Sequence, residues 1–169
     1  MPREVKLHST VDEDAYRTAV SSFATGLTVV TIMEGRIPFG FTCQSFMSLS
    51  LNPRLISFAV SRDSLTWPQL RDSGLFCINV LGVDQGDLAH RFATPEIDRF
   101  SGIEWHQSTV SGAPHLAGAE AWIDAQVDRT YPAGDHYLVV GRVTATEVGE
   151  RSEPLIYHRS RFAALRQIG

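Results

Sequence analysis

The sequence predicts a mainly β protein with short helices, folded as an antiparallel sheet or barrel. At least six short runs are rich in β-branched and aromatic residues, and few helical segments separate them. No glycine-rich strand-to-helix turn of the dinucleotide-binding type is present, which argues against a doubly wound parallel sheet. Closure of the sheet into a barrel would also remove its exposed edges.

The first element is a predicted helix. Thr10 or Asp12 supplies its N-terminal cap, and apolar side chains then recur at helical spacing from Tyr16 to Phe23. We expect Gly26 to end this helix, because glycine accepts the left-handed conformation at a helix C-terminus.

The predicted strands share β-branched and aromatic composition and are bounded by turn signals. They cover residues 27–32, 39–49, 55–60, 76–81, 123–127, 137–148, 155–157 and 162–165. Gly35 to Pro38, Asn52-Pro53 and residues 131–134 supply turns between them.

Two further helical segments interrupt the strands. Thr66 is expected to cap a short helix that begins at Trp67-Pro68 and ends at Gly74. Asp84 begins the next helical piece, and Thr94-Pro95 is expected to cap a turn after it.

Length, composition and charge exclude several classes of protein. The chain has 169 residues, which suits one domain, and we expect that domain over 10–169 with an N-terminal extension over 1–9. A formal net charge of −4 without any basic run argues against nucleic-acid binding. No long apolar run predicts a membrane span or a signal peptide, so a cytoplasmic location is expected.

Neither the cysteines nor the histidines predict a metal site. Cys43 and Cys77 lie in apolar surroundings, which favours buried free thiols in a reducing compartment. The six histidines show no spacing that is typical of metal ligands, either with one another or with the cysteines. We therefore expect no bound metal and no nucleophilic cysteine.

The segment most indicative of function runs from Gly40 to Ser50. It is dense in hydroxyl groups, and Phe41 and Phe46 are interleaved with them. A flat heteroaromatic ligand needs both hydrogen-bond donors and an apolar wall, which this pattern offers. A half-buried strand with a hydroxyl-bearing face explains the same pattern, and the residues alone leave both interpretations open.

Two other segments carry candidate binding groups. Residues 61–66 offer hydroxyls at alternate positions and one guanidinium just before a predicted helix, which suits a phosphate group. Gly134-Asp135 forms a turn after which His136 begins a strand, and an imidazole there can bind a phosphate or carboxamide or move a proton. A capped helix and a plain hairpin are the alternatives.

Six motifs follow one another along most of the chain, from Phe23 to Leu165. They are Phe23 to Thr31, Gly40 to Phe46, Ser48 to Pro53, Phe76 to Leu81, Gly134-Asp135-His136 with Gly141, and Pro154 to Tyr157. In their order and spacing they resemble the flavin reductase family, the small NAD(P)H-dependent reductase components of two-component flavin monooxygenases. Two positions depart from the family pattern, Cys43-Gln44 for the common Ala-Asn and Arg54 for a second proline.

The resemblance implies an FMN-binding split barrel, a Greek-key antiparallel β-barrel that is usually a homodimer with flavin near the subunit interface. Residues 42–45 match the backbone contacts to the isoalloxazine edge, and His136 is the implied catalytic position. His136 and Tyr157 match positions near the nicotinamide dinucleotide. The implied cofactor-binding positions are Thr28, Phe41, Thr42, Cys43, Gln44, Ser45, Ser48, Ser61, Arg62, Ser64, Thr66, Asn79, Arg91 and Tyr157.

The implied reaction is the reduction of FMN or FAD by NADH or NADPH, with hydride transfer from nicotinamide C4 to flavin N5. The reduced flavin would then diffuse to a partner monooxygenase that hydroxylates an aromatic substrate. A non-catalytic flavin-binding split-barrel protein and a pyridoxamine-phosphate-oxidase-like oxidase are the alternatives. The sequence leaves open which flavin and which nucleotide are used, and whether the flavin dissociates.

Overall fold

Antiparallel strands dominate the fold, which confirms the predicted mainly β class. The computed structural model describes residues 11–150 and 153–166, so the predicted extension over 1–9 and the alternative cap Thr10 lie outside the described residues. The strands in that part of the chain are β1 Thr25–Gly26, β2 Thr28–Glu34, β3 Ile37–Cys43, β4 Met47–Leu51, β5 Arg54–Ser61, β6 Leu75–Val80, β7 Trp105–Gln107, β8 Pro114–Leu116, β9 Ala121–Ala133, β10 His136–Val148, β11 Ile156–His158 and β12 Arg161–Ala163.

The helices are short and lie at the margins of the sheets. They are α1 Glu13–Ser21, α2 Trp67–Ser73 and α3 Gly86–Ala93, the last preceded by a 3-10 turn over Val83–Gln85. Asp12 caps α1 as predicted, because its carboxylate accepts the Ala15 N–H at 3.1 Å. Within the described ranges, no helix combines the length and the apolar character needed to cross a membrane.

One predicted helix boundary is wrong. α1 ends at Ser21 with Ser22 as its C-terminal cap, whereas Gly26 lies in β1 and pairs with Ile156. At this position, pairing with a distant strand overrode a local glycine signal. Thr94 closes α3, its hydroxyl donates to the His90 carbonyl at 2.9 Å, and a turn follows at Pro95 and Glu96. Gly74, by contrast, has a positive φ of 66° and ends α2 as predicted.

Seven strands form the main antiparallel sheet, in the order β3-β2-β6-β9-β10-β5-β4. A second sheet has the order β1-β11-β12, and β7 and β8 form a separate hairpin. The main sheet curls on itself: the ring of Phe41 in β3 packs against that of Phe58 in β5, with centroids 6.3 Å apart. Phe58, Phe76 and Ile78 are fully buried within this curl and form the centre of the core.

The predicted strand over 39–49 is two strands. β3 pairs with β2 and β4 pairs with β5, so the two halves lie at opposite ends of the seven-stranded sheet. The residues between them, 44–46, span the gap between the sheet's ends. The hydroxyl of Ser45 accepts the Ala59 N–H at 2.8 Å, which ties this crossing to β5. Ser and Thr side chains that bond backbone groups commonly interrupt strands in this way.

The β9–β10 hairpin is the longest feature of the sheet. Gly134, with a φ of 64°, and Asp135 form its turn, so Ala133 still belongs to β9 and His136 begins β10. Gly141 lies at a register shift in β10, and a Cβ there would come 2.6 Å from the Phe76 ring. The hairpin therefore needs glycine at 141 to pack on the core, and it carries His136 to the end of the sheet.

Candidate functional site

A polar cavity opens where the ends of β3, β5 and β10 meet. Its volume is about 410 Å³, within the usual range for small-molecule sites. Phe41, Ala59 and Val60 supply its apolar wall. The described residues that line it are Phe41, Thr42, Cys43, Gln44, Ser45, Ala59, Val60, Ser61, Ser64, Ala93 and His136, none of which carries a carboxylate.

Three separate segments build this polar cavity. They are the end of β3 with the crossing that follows it, the loop after β5 and the turn before β10, and they are far apart in sequence. Register brings the last two together, because His136 pairs directly with Ser61 across β10 and β5. The Arg62 N–H also donates to the Asp135 carbonyl at 3.0 Å, which fixes the loop to the hairpin turn.

Two serine hydroxyls in the cavity wall, those of Ser61 and Ser64, are positioned to donate. Ser61 Oγ accepts the Asp63 N–H at 3.2 Å, and Ser64 Oγ accepts the Thr66 N–H at 3.3 Å. Since a hydroxyl has one hydrogen in addition to its acceptor lone pairs, each serine keeps that hydrogen for a ligand oxygen. This donor set suits a phosphate or another anionic group.

His136 is oriented by its neighbour in the turn. Its Nδ1 lies 2.7 Å from Asp135 Oδ1, and the histidine side chain is 43% exposed at the cavity mouth. The hydrogen bond to His136 lowers the pKa of Asp135 below its ordinary value. The pair therefore holds a carboxylate against Nδ1 at neutral pH and leaves Nε2 for a ligand.

Two threonine hydroxyls, one buried and one half-buried, hold the strand crossing in place. Thr28 Oγ1 donates to the Cys43 carbonyl at 2.9 Å, and Thr42 Oγ1 donates to the Ala89 carbonyl at 2.6 Å. Burial raises the pKa of the Cys43 thiol, although hydrogen bonds from Ser45 oppose that effect. Cys43 is thus a protonated wall residue at neutral pH, and these two threonines position the backbone around it.

Several other predicted contacts lie outside the polar cavity. Thr28 lines a second cavity and Thr66 a smaller one of about 290 Å³. Ser48 is exposed on β4, and Tyr157 lies in the second sheet, where its ring packs near Phe162. The single chain therefore does not bring Tyr157 together with His136 around this cavity.

Three further predicted residues have partners within the protein. Asn79 is fully buried; its amide donates to the Val29 carbonyl at 3.1 Å, and its oxygen accepts the Leu116 N–H at 2.7 Å. Arg91 Nη2 donates to two carbonyls of the loop after α3, at 3.0 and 2.7 Å. Arg62 lies over the Tyr137 ring, 5.1 Å from its centroid. A cofactor role for these three stays a prediction.

The second cavity is larger and mostly apolar. Its volume is about 710 Å³, and it shares Gln44 and Ser45 with the polar cavity. The residues that line it are Phe23, Ala24, Thr25, Gly26, Leu27, Thr28, Gln44, Ser45, Phe46, Met47 and Val80. We call it the apolar cavity; the crossing at 44–45 separates it from the polar one.

Sequence reasoning missed part of the site. The sequence indicates only a turn role for Asp135, yet its carboxylate orients His136. Ala59, Val60 and Ala93 line the cavity without any chemical signal in the sequence. The alternation of side chains along a strand could have identified Ala59, since residues two apart, such as Ala59 and Ser61 in β5, lie on the same face of the sheet.

Comparison with known proteins identifies the family to which this geometry belongs. The model of the flavin reductase like domain matches residues 20–166. The chain belongs to the flavin reductase family. The reductase subunit HsaB of a flavin-dependent monooxygenase from Rhodococcus jostii is 36% identical over 155 residues, 92% of this chain and 79% of that protein. An NADH:FMN oxidoreductase of Rhodococcus erythropolis is 38% identical, over 87% of this chain and 79% of its own.

A solved structure supports the same assignment. The NADH:FAD oxidoreductase SgcE6 of Streptomyces globisporus, in complex with NAD and FAD fragments, superposes with a TM-score of 0.86 at 32% identity. The alignment covers 94% of this flavin reductase chain and 93% of SgcE6. The fold, a split barrel in these relatives, is therefore shared over nearly the whole length.

Proposed function

We propose that this flavin reductase family member catalyses NAD(P)H-dependent reduction of FMN or FAD. The observation that carries the proposal is the polar cavity, in which eight of the residues predicted from the sequence converge. They are Phe41, Thr42, Cys43, Gln44, Ser45, Ser61, Ser64 and His136.

The residues present fit a flavin nucleotide. Phe41 and Ala59 offer an apolar wall for a flat ring, and the backbone at 42–45 follows that wall. The hydroxyl hydrogens of Ser61 and Ser64 are available to phosphate oxygens. None of the described lining residues carries a carboxylate that would repel an anion. We assign the ring to the crossing and the phosphate to the two serines.

Hydride transfer from the nicotinamide to the flavin is chemistry that the two cofactors supply when they are bound. The chain's own contribution is binding and orientation. Asp135 holds Nδ1 of His136, so that Nε2 is presented to the carboxamide or phosphate of the nicotinamide nucleotide. Thr28 and Thr42 fix the backbone where β3 enters the crossing, so that backbone N–H groups there would stabilise negative charge on a bound ring.

The proposal extends to partners. We infer that the reduced flavin diffuses to a monooxygenase that acts on an aromatic substrate; support comes from the relative HsaB, which is named as a monooxygenase reductase subunit. We also infer a homodimer that covers the apolar cavity, since Phe23 at its rim is 77% exposed. A cytoplasmic location suits the two free cysteines.

Turnover with the four cofactor pairs tests this function. The purified chain is mixed with NADH or NADPH and with FMN or FAD in air, and the near-ultraviolet absorbance of the reduced nucleotide is followed. We expect flavin-dependent loss of that absorbance, and the relatives named for NADH:FMN and NADH:FAD activity make NADH the expected donor. A flat trace despite measured flavin binding would show a flavin-binding protein without reductase activity.

A further inference from the structure

A cluster of metal-binding side chains lies at the far end of β10 from His136. His106 and His115 face each other as a directly opposed pair in the β7–β8 hairpin, and Glu147 lies near the end of β10. One nitrogen of each histidine and one carboxylate oxygen of Glu147 lie within 4.8 Å of one another. We call these three residues the hairpin cluster.

One nitrogen of the hairpin cluster is buried without a partner. His115 is 5% exposed, and its Nδ1 has no hydrogen-bond partner among the residues that the structure describes. Its other nitrogen, Nε2, lies 3.1 and 3.2 Å from the two carboxylate oxygens of Asp124. A buried polar atom without a partner is costly, which points to a ligand that is bound in the protein's working state.

Asp124 has no capacity left to be a ligand itself. Its two oxygens accept hydrogen bonds from the hydroxyls of Ser108 and Ser111 as well as facing Nε2 of His115. Cys77 also lies near His115, but it is fully buried, whereas His106 and Glu147 are exposed and line the cavity beside the hairpin. Asp124 is instead an orienting partner: a carboxylate on one imidazole nitrogen with the other nitrogen on a metal is the common arrangement at histidine metal sites.

We propose that His106, His115 and Glu147 bind a divalent transition-metal ion, for which Zn²⁺ is the natural probe. Two imidazole nitrogens and one carboxylate oxygen form a donor set suited to Zn²⁺, Ni²⁺ or Cu²⁺, whereas Mg²⁺ and Ca²⁺ prefer oxygen donors alone. Water would complete the coordination. A cavity of about 210 Å³ beside the hairpin cluster gives the ion and its water access.

The three ligand atoms, which lie within 4.8 Å of one another, need to move only slightly closer together to share one ion. Donor atoms on a tetrahedral zinc lie about 3.3 Å apart, given metal–donor distances of about 2 Å. His106 and Glu147 are exposed and already lie beside His115, whose buried ring stacks on Trp122 with centroids 5.6 Å apart. The rigid, buried histidine supplies the anchor, and the two exposed side chains close on the ion.

This metal site is independent of the proposed reductase function. Glu147 and His136 are eleven residues apart in one strand, which is about 35 Å along extended chain. An ion at the hairpin cluster would tie the β7–β8 hairpin to β10 and stabilise the fold, because it binds the native chain and not the unfolded one. Sequence spacing did not predict this site, since the ligands meet only through strand pairing.

Metal binding to the full chain tests the proposal. Untagged protein is stripped with a chelator, and Zn²⁺ is titrated by calorimetry, with thermal unfolding measured with and without the ion. Co²⁺ is added as a spectroscopic probe, since its visible bands report tetrahedral nitrogen and oxygen ligation. We expect one ion per chain, a higher melting temperature with Zn²⁺, and no response to Mg²⁺.

Variants of the two exposed ligands make the test specific. His106→Ala and Glu147→Gln should each weaken Zn²⁺ binding about tenfold or more, because even outer-shell changes at metal sites cost 10- to 100-fold. His90→Ala, a histidine of α3 outside the hairpin cluster, is the matched control and should bind Zn²⁺ as the wild type does. Absence of binding in the wild type, or equal affinity in the wild type and both ligand variants, would overturn the proposal.

Discussion

The chain contains two carboxylate–histidine pairs that differ in burial. In the pair His115–Asp124 the side chains are 6% and 4% exposed, and two serine hydroxyls also contact the carboxylate. In the pair His136–Asp135 the side chains are 43% and 91% exposed. The first pair is surrounded by protein, whereas the second stands at the mouth of the polar cavity.

Burial decides what each pair does. In the interior, water cannot replace a lost hydrogen bond. Removing the Asp124 carboxylate would therefore leave several buried polar groups without partners. At the surface, water replaces any lost hydrogen bond of Asp135, so that pair contributes little to stability and is available to orient a ring for a ligand. The same two residue types therefore form a buried structural contact in one place, next to the proposed metal site, and an exposed pair at the mouth of the polar cavity in the other.

Removal of the buried carboxylate should have the largest effect. Asp124→Ala is expected to lower the free energy of unfolding by about 3–5 kcal/mol, because Ser108, Ser111 and His115 all lose their shared acceptor. Urea denaturation of both proteins measures the difference. Asp135→Ala is the control and should unfold at the same urea concentration as the wild-type protein. A similar loss of stability in both variants would contradict the difference we infer between the buried and the exposed pair.

The next largest effect, on flavin affinity, is expected from loss of the Ser61 and Ser64 hydroxyls. The double variant Ser61→Ala with Ser64→Ala removes two donors assigned to the phosphate, so we expect the flavin dissociation constant to rise about tenfold. Quenching of flavin fluorescence measures it. Ser101→Ala, outside the cavity lining, should leave affinity unchanged. Wild-type affinity in the double variant would show that the two hydroxyls only stabilise the loop after β5 and do not bind the phosphate.

A smaller effect is expected at His136. His136→Ala should raise KM for the nicotinamide nucleotide about fivefold while flavin affinity changes less, because the ring is assigned to positioning that nucleotide. Asp135→Asn should show part of the same increase, since it weakens the contact that orients the ring. Steady-state kinetics and flavin titration separate the two quantities. Equal losses for both cofactors would remove the assigned role.

The smallest effect concerns the titration of Asp135. Its pKa is lowered chiefly by the hydrogen bond with His136, so the interaction is present above the ordinary aspartate pKa of about 3.9. It is lost as the pH falls through the lower pKa of the folded protein. NMR titration of the Asp135 carboxyl should show the lowered pKa, and His136→Ala should raise that pKa towards the ordinary value, with Arg62 still lowering it slightly. An unchanged Asp135 pKa in the His136→Ala variant would show that His136 does not cause the lowered pKa.

Local patterns predicted the three segments that line the polar cavity. The hydroxyl-rich segment at 40–50, the loop at 61–66 and the turn before His136 were each recognised separately from residue chemistry, and the structure brings parts of all three to one cavity. That convergence depends on the register of β5 and β10, which pairs Ser61 with His136. Register is set by long-range packing, so the sequence revealed the parts without their arrangement.

The failures share one physical cause. Gly26 looked like a helix end because local conformational preference favours glycine there, yet pairing with Ile156 placed it in a strand. The segment 39–49 looked continuous because nothing local marks where a strand changes partners. His106 and His115 look unrelated in sequence but oppose each other in a hairpin. Each error arose where a partner distant along the chain decided the outcome.

A crystal structure of the chain with bound FMN or FAD tests the central claim most directly. We predict the flavin ring against the crossing at Gln44 and Ser45, with its phosphate at the hydroxyls of Ser61 and Ser64 and with His136 beside the open face of the ring. A flavin bound elsewhere on the protein, with the polar cavity closed by its own side chains, would contradict the account.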